Sequence, residues 1–146
     1  MSNSQAIEDY AKAIYAIAAE REGLVLNGEV AERIGVTPAT ATSMLKKLAD
    51  LGLVDYLPYK GVSLTPAGEK VALEVIRHHR LLEAYLSEAL GMPEDRVHEE
   101  AEVLEHYISE DLEKLIAAKL GEPSHDPHGS AIPGPDLQPP SGSAKP

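Results

Sequence analysis

The segment Gly35-Val36-Thr37-Pro38 constrains the fold of this chain more than any other four residues. Ahead of it, residues 27–34 carry Val30 and Ile34 at helical spacing, with Asn27 placed to cap the start and Gly35 to end the run. Behind it, Thr37 is a favoured N-cap, Pro38 suits a first helical turn, and the pattern runs to about Leu51 before Gly52. Two short helices joined in this way describe a helix-turn-helix. Leu53–Leu57 and Val62–Leu64 then read as strands around the turn Pro58-Tyr59-Lys60-Gly61. A hairpin directly after the second helix of such a unit is the wing of a winged helix. An earlier helix fits Ser4–Arg21, where Ile7, Tyr10, Ala11, Ile14, Tyr15, Ile17 and Ala18 recur at helical spacing.

Further along, Thr65-Pro66 opens a long helix to about Leu90, which Gly91-Met92-Pro93 breaks. A fifth helix reaches about Ile108, and Ser109 caps a sixth that ends near Leu120. The expected fold is therefore mainly α, with a winged helix-turn-helix domain over residues 1–65 and a helical domain over 66–135. Its core must be aliphatic, because the 146 residues include no Phe, no Trp and only six Tyr. Residues 121–146 hold seven of the eleven prolines, a composition that reads as linker or disordered tail, and residues 136–146 close the chain in Pro, Gly and Ser. His125, Asp126 and His128 fall in that tail and read as solvated.

Two groups of side chains carry candidate chemistry. At ~100° per residue, His98, Glu102, Glu105 and His106 fall within about 80° of one another on a helix. His79 and Glu83 repeat the combination at i, i+4 on the preceding helix. Imidazole nitrogen and carboxylate oxygen without any cysteine make a ligand set for a divalent first-row metal. The second group lies at the start of the second helix of the helix-turn-helix, the part that enters the major groove of DNA. Thr37, Pro38, Ala39, Thr40, Thr42 and Ser43 are small enough to approach base edges, and threonine methyls can meet thymine methyls. Their hydroxyls, together with Lys46, Lys47 and Lys60 at the wing tip, suit phosphates. With no bidentate Arg or Gln reader in that stretch, direct readout is expected to be modest, and shape and van der Waals recognition to carry more of the specificity.

The net charge of −11 argues against a nucleic-acid partner only if its distribution is ignored. Residues 1–64 hold six Lys/Arg against eight Asp/Glu, whereas residues 65–146 hold seven against sixteen, so the excess acid lies with the proposed ligands. No apolar run approaches the ~20 residues of a membrane span, and the N-terminus lacks a signal peptide's pattern, so the chain reads as soluble and cytoplasmic. An enzyme is not expected. Carboxylate-bridged dimetal bundles need Glu three residues before His, which neither His79 nor His106 has, and His98-Glu99 lacks the second His of a zinc-protease helix. The alternative function is a metal-independent winged-helix regulator with a solvated His/Glu surface.

Residues 5 to about 135 resemble the metal-dependent transcriptional repressors of the diphtheria toxin repressor and manganese transport regulator family. The resemblance runs through VAERIGVTPATATSMLKKLADLGLV, the LTPAGE exit of the wing, RHHRLLEAYL, RVHEEAEVLEHYIS and SHDPHGSAIPG. It implies a homodimer that binds a palindromic operator on double-stranded DNA when loaded with Mn2+ or Fe2+, and so represses metal-uptake genes. Carried over by position, one metal site comprises His79, Glu83 and His98, and the other Asp9, Glu102, Glu105 and His106, giving two sites per subunit. Iron-responsive members typically have Met and Cys where this chain has Asp9 and Glu102, and oxygen in place of sulfur favours Mn2+ over Fe2+. Manganese-responsive members usually add a carboxylate where this chain has Lys12, which implies separated sites rather than a two-metal cluster. Many iron-type members continue into an SH3-like domain, so the resemblance implies that residues 136–146 are a tail or a linker toward one.

Overall fold

The computed structural model describes residues 3–138, so residues 139–146, most of the expected tail, lie outside the described residues. Its elements are α1 (Asn3–Glu20), α2 (Asn27–Ile34), α3 (Pro38–Asp50), β1 (Val54–Leu57), β2 (Gly61–Leu64), α4 (Pro66–Glu88), α5 (Glu94–Leu104) and α6 (Glu110–Lys119). They divide into two units, one reaching Ala72 and the other beginning at Leu73 within α4.

In the first unit the turn between α2 and α3 forms as its residues dictate. Gly35 adopts φ 87°, and the Gly35 and Val36 N–H groups both return to the Ala31 carbonyl, at 2.9 and 3.0 Å. That left-handed step costs glycine nothing. Thr37 Oγ1 then accepts from Thr40 N at 3.1 Å and starts α3. Tyr10, Ile14 and Ile17 of α1 pack with Val30 of α2, with Ala41, Leu45 and Leu48 of α3, and with Val54 and Val62 of the hairpin. Strands β1 and β2 pair antiparallel in the register Val54↔Leu64 and Leu57↔Gly61. Val25 adds a bridge to Val62, with reciprocal bonds of 2.9 and 2.8 Å, so the wing is anchored to the segment before α2. Asn27 is not the cap of α2. Leu26 holds that position, and the Glu29 carboxylate accepts from its N–H at 2.9 Å.

Two expectations for the second unit are corrected. The fifth helix stops at Leu104 rather than near Ile108, and Glu105, His106 and Tyr107 form a turn before Ser109 caps α6. No Gly or Pro marks that stop, so periodicity alone overran it. Secondly, residues 121–138 do not run as a solvated tail. Ile132 enters the core with Leu81, Leu82, Ala101, Ile116 and Ala117, and Pro133 is fully buried. The Asp126 side chain closes a turn by accepting from His128 N at 2.9 Å and Ser130 N at 2.8 Å. Arg80 and Arg77 of α4 hold the Ala131 and Pro133 carbonyls, the latter at 2.8 Å. These backbone anchors leave no trace in composition, which is why the segment reads as linker.

Candidate functional site

His79 and Glu83 share one face of α4, and α5 brings His98 against them. His79 Nε2 and His98 Nδ1 each lie within hydrogen-bond range of Glu83 Oε2, at 3.1 and 3.2 Å, and 3.2 Å from each other. His79 and Glu83 are buried, whereas the His98 side chain is 62% exposed, so the cluster has a closed floor and an open mouth. On its other nitrogen, His79 Nδ1 donates to Glu105 Oε1 at 2.5 Å. A carboxylate behind an imidazole fixes the proton on Nδ1 and turns the Nε2 lone pair toward the cluster. Three donor atoms thus converge with no sulfur among them, a set suited to a divalent first-row cation.

The helical stripe read from sequence splits in two. His98 and Glu102 remain one turn apart on α5, with His98 Nε2 3.0 Å from Glu102 Oε1. Glu105 and His106 leave the helix and turn inward, where Glu105 Oε2 lies 3.5 Å from His106 Nε2 and both side chains are almost fully buried. Glu105 therefore faces His79 with one oxygen and His106 with the other. Asp9 lies half-buried on α1 of the first unit.

Sequence reasoning missed two residues here. His128 Nδ1 lies 3.6 Å from Glu83 Oε1 and its Nε2 lies 3.4 Å from Glu94 Oε1. Asp126, buried in the turn, offers an oxygen to the same group. The Asp-Pro-His-Gly turn signature is the available signal, masked by a surrounding composition that suggests disorder.

Burial by itself would raise the Glu83 carboxyl, but the hydrogen bond and charge of His79, with a hydrogen bond from His98, outweigh it and hold the pKa at about 2. Glu113 is likewise lowered: burial pushes it up, and Arg77 and His78 more than offset that. Both carboxyls ionise more readily in the fold than in the unfolded chain, where the ordinary value is 4.5. Their contribution to stability is complete above that value and is lost as pH falls through the folded-state values, about 2 for Glu83. In EDTA, Tm is therefore expected to fall steadily once pH drops below 4.5, and Glu113→Gln to flatten that fall. A Tm independent of pH across this window would contradict the assignment.

In the first unit, α3 buries Ala41, Leu45 and Leu48 and exposes Thr37, Pro38, Ala39, Thr40, Ser43, Lys46 and Lys47. Thr42 is half-buried, and its hydroxyl accepts from Asn27 Nδ2 at 2.9 Å; the same amide lies 3.4 Å from the Tyr56 hydroxyl. Asn27 thus ties the recognition helix to the wing rather than capping α2. A cavity of about 460 Å³ runs between them, lined by Thr42, Lys46, Tyr56, Tyr59 and Lys60 among others. Lys60 stands at the wing tip beside Tyr59, which is fully exposed at φ 65°. Thr37 spends its hydroxyl on the cap and on Thr40 Oγ1, 2.9 Å away.

A winged helix followed by a helical unit with converging imidazoles and carboxylates defines a metal-responsive DNA-binding regulator. The comparisons agree. Residues 3–62 match the family description "Iron dependent repressor, N-terminal DNA binding domain" and residues 65–134 match "Iron dependent repressor, metal binding and dimerisation domain". The chain belongs to the iron-dependent repressor family, whose members are transcriptional repressors rather than enzymes. It is 39% identical to an uncharacterised HTH-type transcriptional regulator of Methanocaldococcus jannaschii, over 77% of this chain and 90% of that one. It is 34% identical to the diphtheria toxin repressor of Corynebacterium efficiens over 87% of this chain, but spans only 55% of that protein's length. Among solved structures, a manganese-dependent transcriptional repressor in complex with manganese aligns at TM-score 0.83 and 47% identity, covering 90% of this chain and 60% of that one. The manganese regulator SloR aligns at TM-score 0.79 and 37% identity, covering 91% and 61%. Among the described residues, no helix is long and apolar enough to cross a membrane.

Proposed function

We propose that this chain is a homodimeric cytoplasmic repressor that binds a palindromic operator when loaded with Mn2+, in preference to Fe2+, and silences metal-uptake genes. The observation that carries the reading is the convergence of His79 Nε2, His98 Nδ1 and Glu83 Oε2 within 3.2 Å of one another, in a chain that also bears a winged helix. Without metal, hydrogen bonds join these atoms, and a divalent cation would displace the shared protons. His79, Glu83 and His98 hold the first metal, with Asp126 and His128 at its edge. The family resemblance assigns Asp9, Glu102, Glu105 and His106 to the second, although Glu102 lies beside His98, and so gives each subunit two ions. A bound cation would supply the positive charge that these imidazoles and carboxylates are placed to share.

The domains divide the work. Residues 1–65 bind DNA through Thr37, Pro38, Ala39, Thr40, Thr42, Ser43, Lys46, Lys47 and Lys60, and residues 66–135 bind metal and dimerise. Val103, Tyr107, Leu112 and Leu115 of the second unit are exposed apolar side chains, and a second copy of this chain is the partner they suit. A two-fold dimer sets its recognition helices one or more DNA turns apart, ~34–36 Å per turn. Metal and operator then reinforce each other by typically 1–3 kcal/mol, and reciprocity requires that DNA tighten metal binding.

The preference for Mn2+ rests on oxygen at Asp9 and Glu102. It is tested by operator binding in buffered Mn2+ and, without oxygen, in buffered Fe2+. Asp9→Met with Glu102→Cys is expected to raise the Mn2+ requirement and lower the Fe2+ requirement, shifting their ratio by about tenfold or more. An unchanged ratio would overturn the role given to those two carboxylates.

A further inference from the structure

Behind the Glu105–His106 turn lies a buried ion network that the metal cluster does not use. His78 precedes His79 on α4 and its ring points away from the cluster, toward α6. Its Nε2 lies 2.7 Å from Glu113 Oε1, and its Nδ1 faces the Glu105 carbonyl oxygen at 3.3 Å. Arg77 Nε lies 2.5 Å from the other Glu113 oxygen, and Arg77 Nη1 donates to the Pro133 carbonyl at 2.8 Å. Arg77 is 6% and His78 8% exposed. Buried ion networks add little net stability, since desolvation offsets the Coulombic gain. What this one holds is therefore more informative than what it contributes.

It holds the end of α5. Glu105 is the C-cap, where backbone carbonyls have lost their helical partners and the helix dipole presents negative charge. Both acceptors around His78 are oxygens, so a ring that satisfies them donates from each nitrogen. It thereby donates to Glu105 O while Glu113 fixes the ring's orientation. The side chain of that same Glu105 presents Oε1 to His79 and Oε2 to His106.

We propose that His78 is a positioning residue for metal binding. By anchoring the Glu105 carbonyl it aims the Glu105 carboxylate and His106, and through Glu113 it links metal affinity to α6 and to the Pro133 segment. The inference rests on the reading of Glu105 and His106 as ligands. Its consequence is that a change on α6, a helix that carries no ligand, alters metal affinity.

Asparagine and glutamine separate the two halves of the ring. Asn at position 78 places an amide nitrogen near the Nδ1 position, toward Glu105, whereas Gln places one near Nε2, toward Glu113. The full chain is titrated with Mn2+ by calorimetry in a His98→Ala background, which leaves the Glu105–His106 site to be read by itself, and the melting temperature without metal is recorded for each variant. His78→Gln is expected to weaken Mn2+ binding about tenfold relative to the His98→Ala parent, and His78→Asn, which keeps the Glu105 contact but loses the one to Glu113, only about threefold. Glu113→Gln, nearly isosteric, is expected to weaken it in the same direction and decides the matter if His78→Gln does not fold. Parental affinity in His78→Gln or Glu113→Gln, or equal losses in His78→Asn and His78→Gln, would overturn the positioning role. A wild-type chain that takes up no Mn2+ would overturn the metal reading itself, and this inference with it.

Discussion

Glu105→Gln is expected to weaken Mn2+ binding by about 100-fold and to leave the operator unbound at metal concentrations that saturate the wild type. The Glu105 side chain is fully buried and touches both halves of the proposed metal centre, at 2.5 Å from His79 Nδ1 and 3.5 Å from His106 Nε2. Glutamine keeps its volume and one acceptor oxygen but loses the charge, and its amide turns a donor where a carboxylate oxygen stood. Loss of a carboxylate behind a ligating histidine lowers metal affinity about 10- to 100-fold, and loss of a direct ligand oxygen adds to that. Stability should respond in the opposite sense or not at all. Without metal, a neutral amide is easier to bury than a carboxylate, so the variant's Tm in EDTA should equal or exceed that of the wild type. Calorimetry with Mn2+ and thermal unfolding in EDTA, run together, check both halves. Wild-type affinity in the variant would remove Glu105 from the metal centre.

The second large effect is on the fold of the DNA-binding unit. Gly68→Ala should destabilise it by about 3 kcal/mol or more, although alanine is the better helix former by about 1 kcal/mol. Gly68 sits in the first turn of α4, and a Cβ there would lie 2.0 Å from the Leu53 carbonyl oxygen. That oxygen already accepts from Thr65 N at 3.0 Å, and Thr65 Oγ1 accepts from Gly68 N at 3.1 Å while donating to the Gly52 carbonyl at 2.7 Å. Room for a methyl would require one backbone to move away from another and break this joint. Gly28→Ala, within α2 and with nothing inside 4 Å of its would-be Cβ, should instead stabilise by about 0.5–1 kcal/mol. Chemical denaturation of both variants gives the comparison. A Gly68→Ala chain as stable as the wild type would show that the Thr-Pro-Ala-Gly joint is not as tight as described.

The helix-turn-helix and its wing were legible because their boundaries are written in residues with specific backbone demands. Gly35 takes the left-handed conformation, Thr37 caps, and Pro38 occupies the first turn. The His79–Glu83–His98 cluster was legible in part, since i, i+4 spacing on α4 puts the first two side chains on one face whatever the tertiary structure. Other features depend on contacts distant in sequence. Asn27 looked like a cap because Asn is a good one, yet its amide is drawn to Thr42 and Tyr56. The end of α5 at Leu104 comes with the turn that follows, where the Glu105 carbonyl faces His78, and nothing in that turn changes the apolar period. The 121–138 segment misled because composition averages over the residues. A single Ile132, a buried Pro133 and two arginines on backbone carbonyls dock a stretch whose overall make-up suggests a linker.

The central claim is that metal controls DNA binding. It is tested most directly by selecting a palindromic operator from random DNA and measuring its binding to the full chain in EDTA, in Mn2+ and in Fe2+ without oxygen. The account predicts no specific binding in EDTA, strong binding in Mn2+ and weaker activation by Fe2+. Equal binding under all three conditions would contradict it and leave a metal-independent winged-helix regulator.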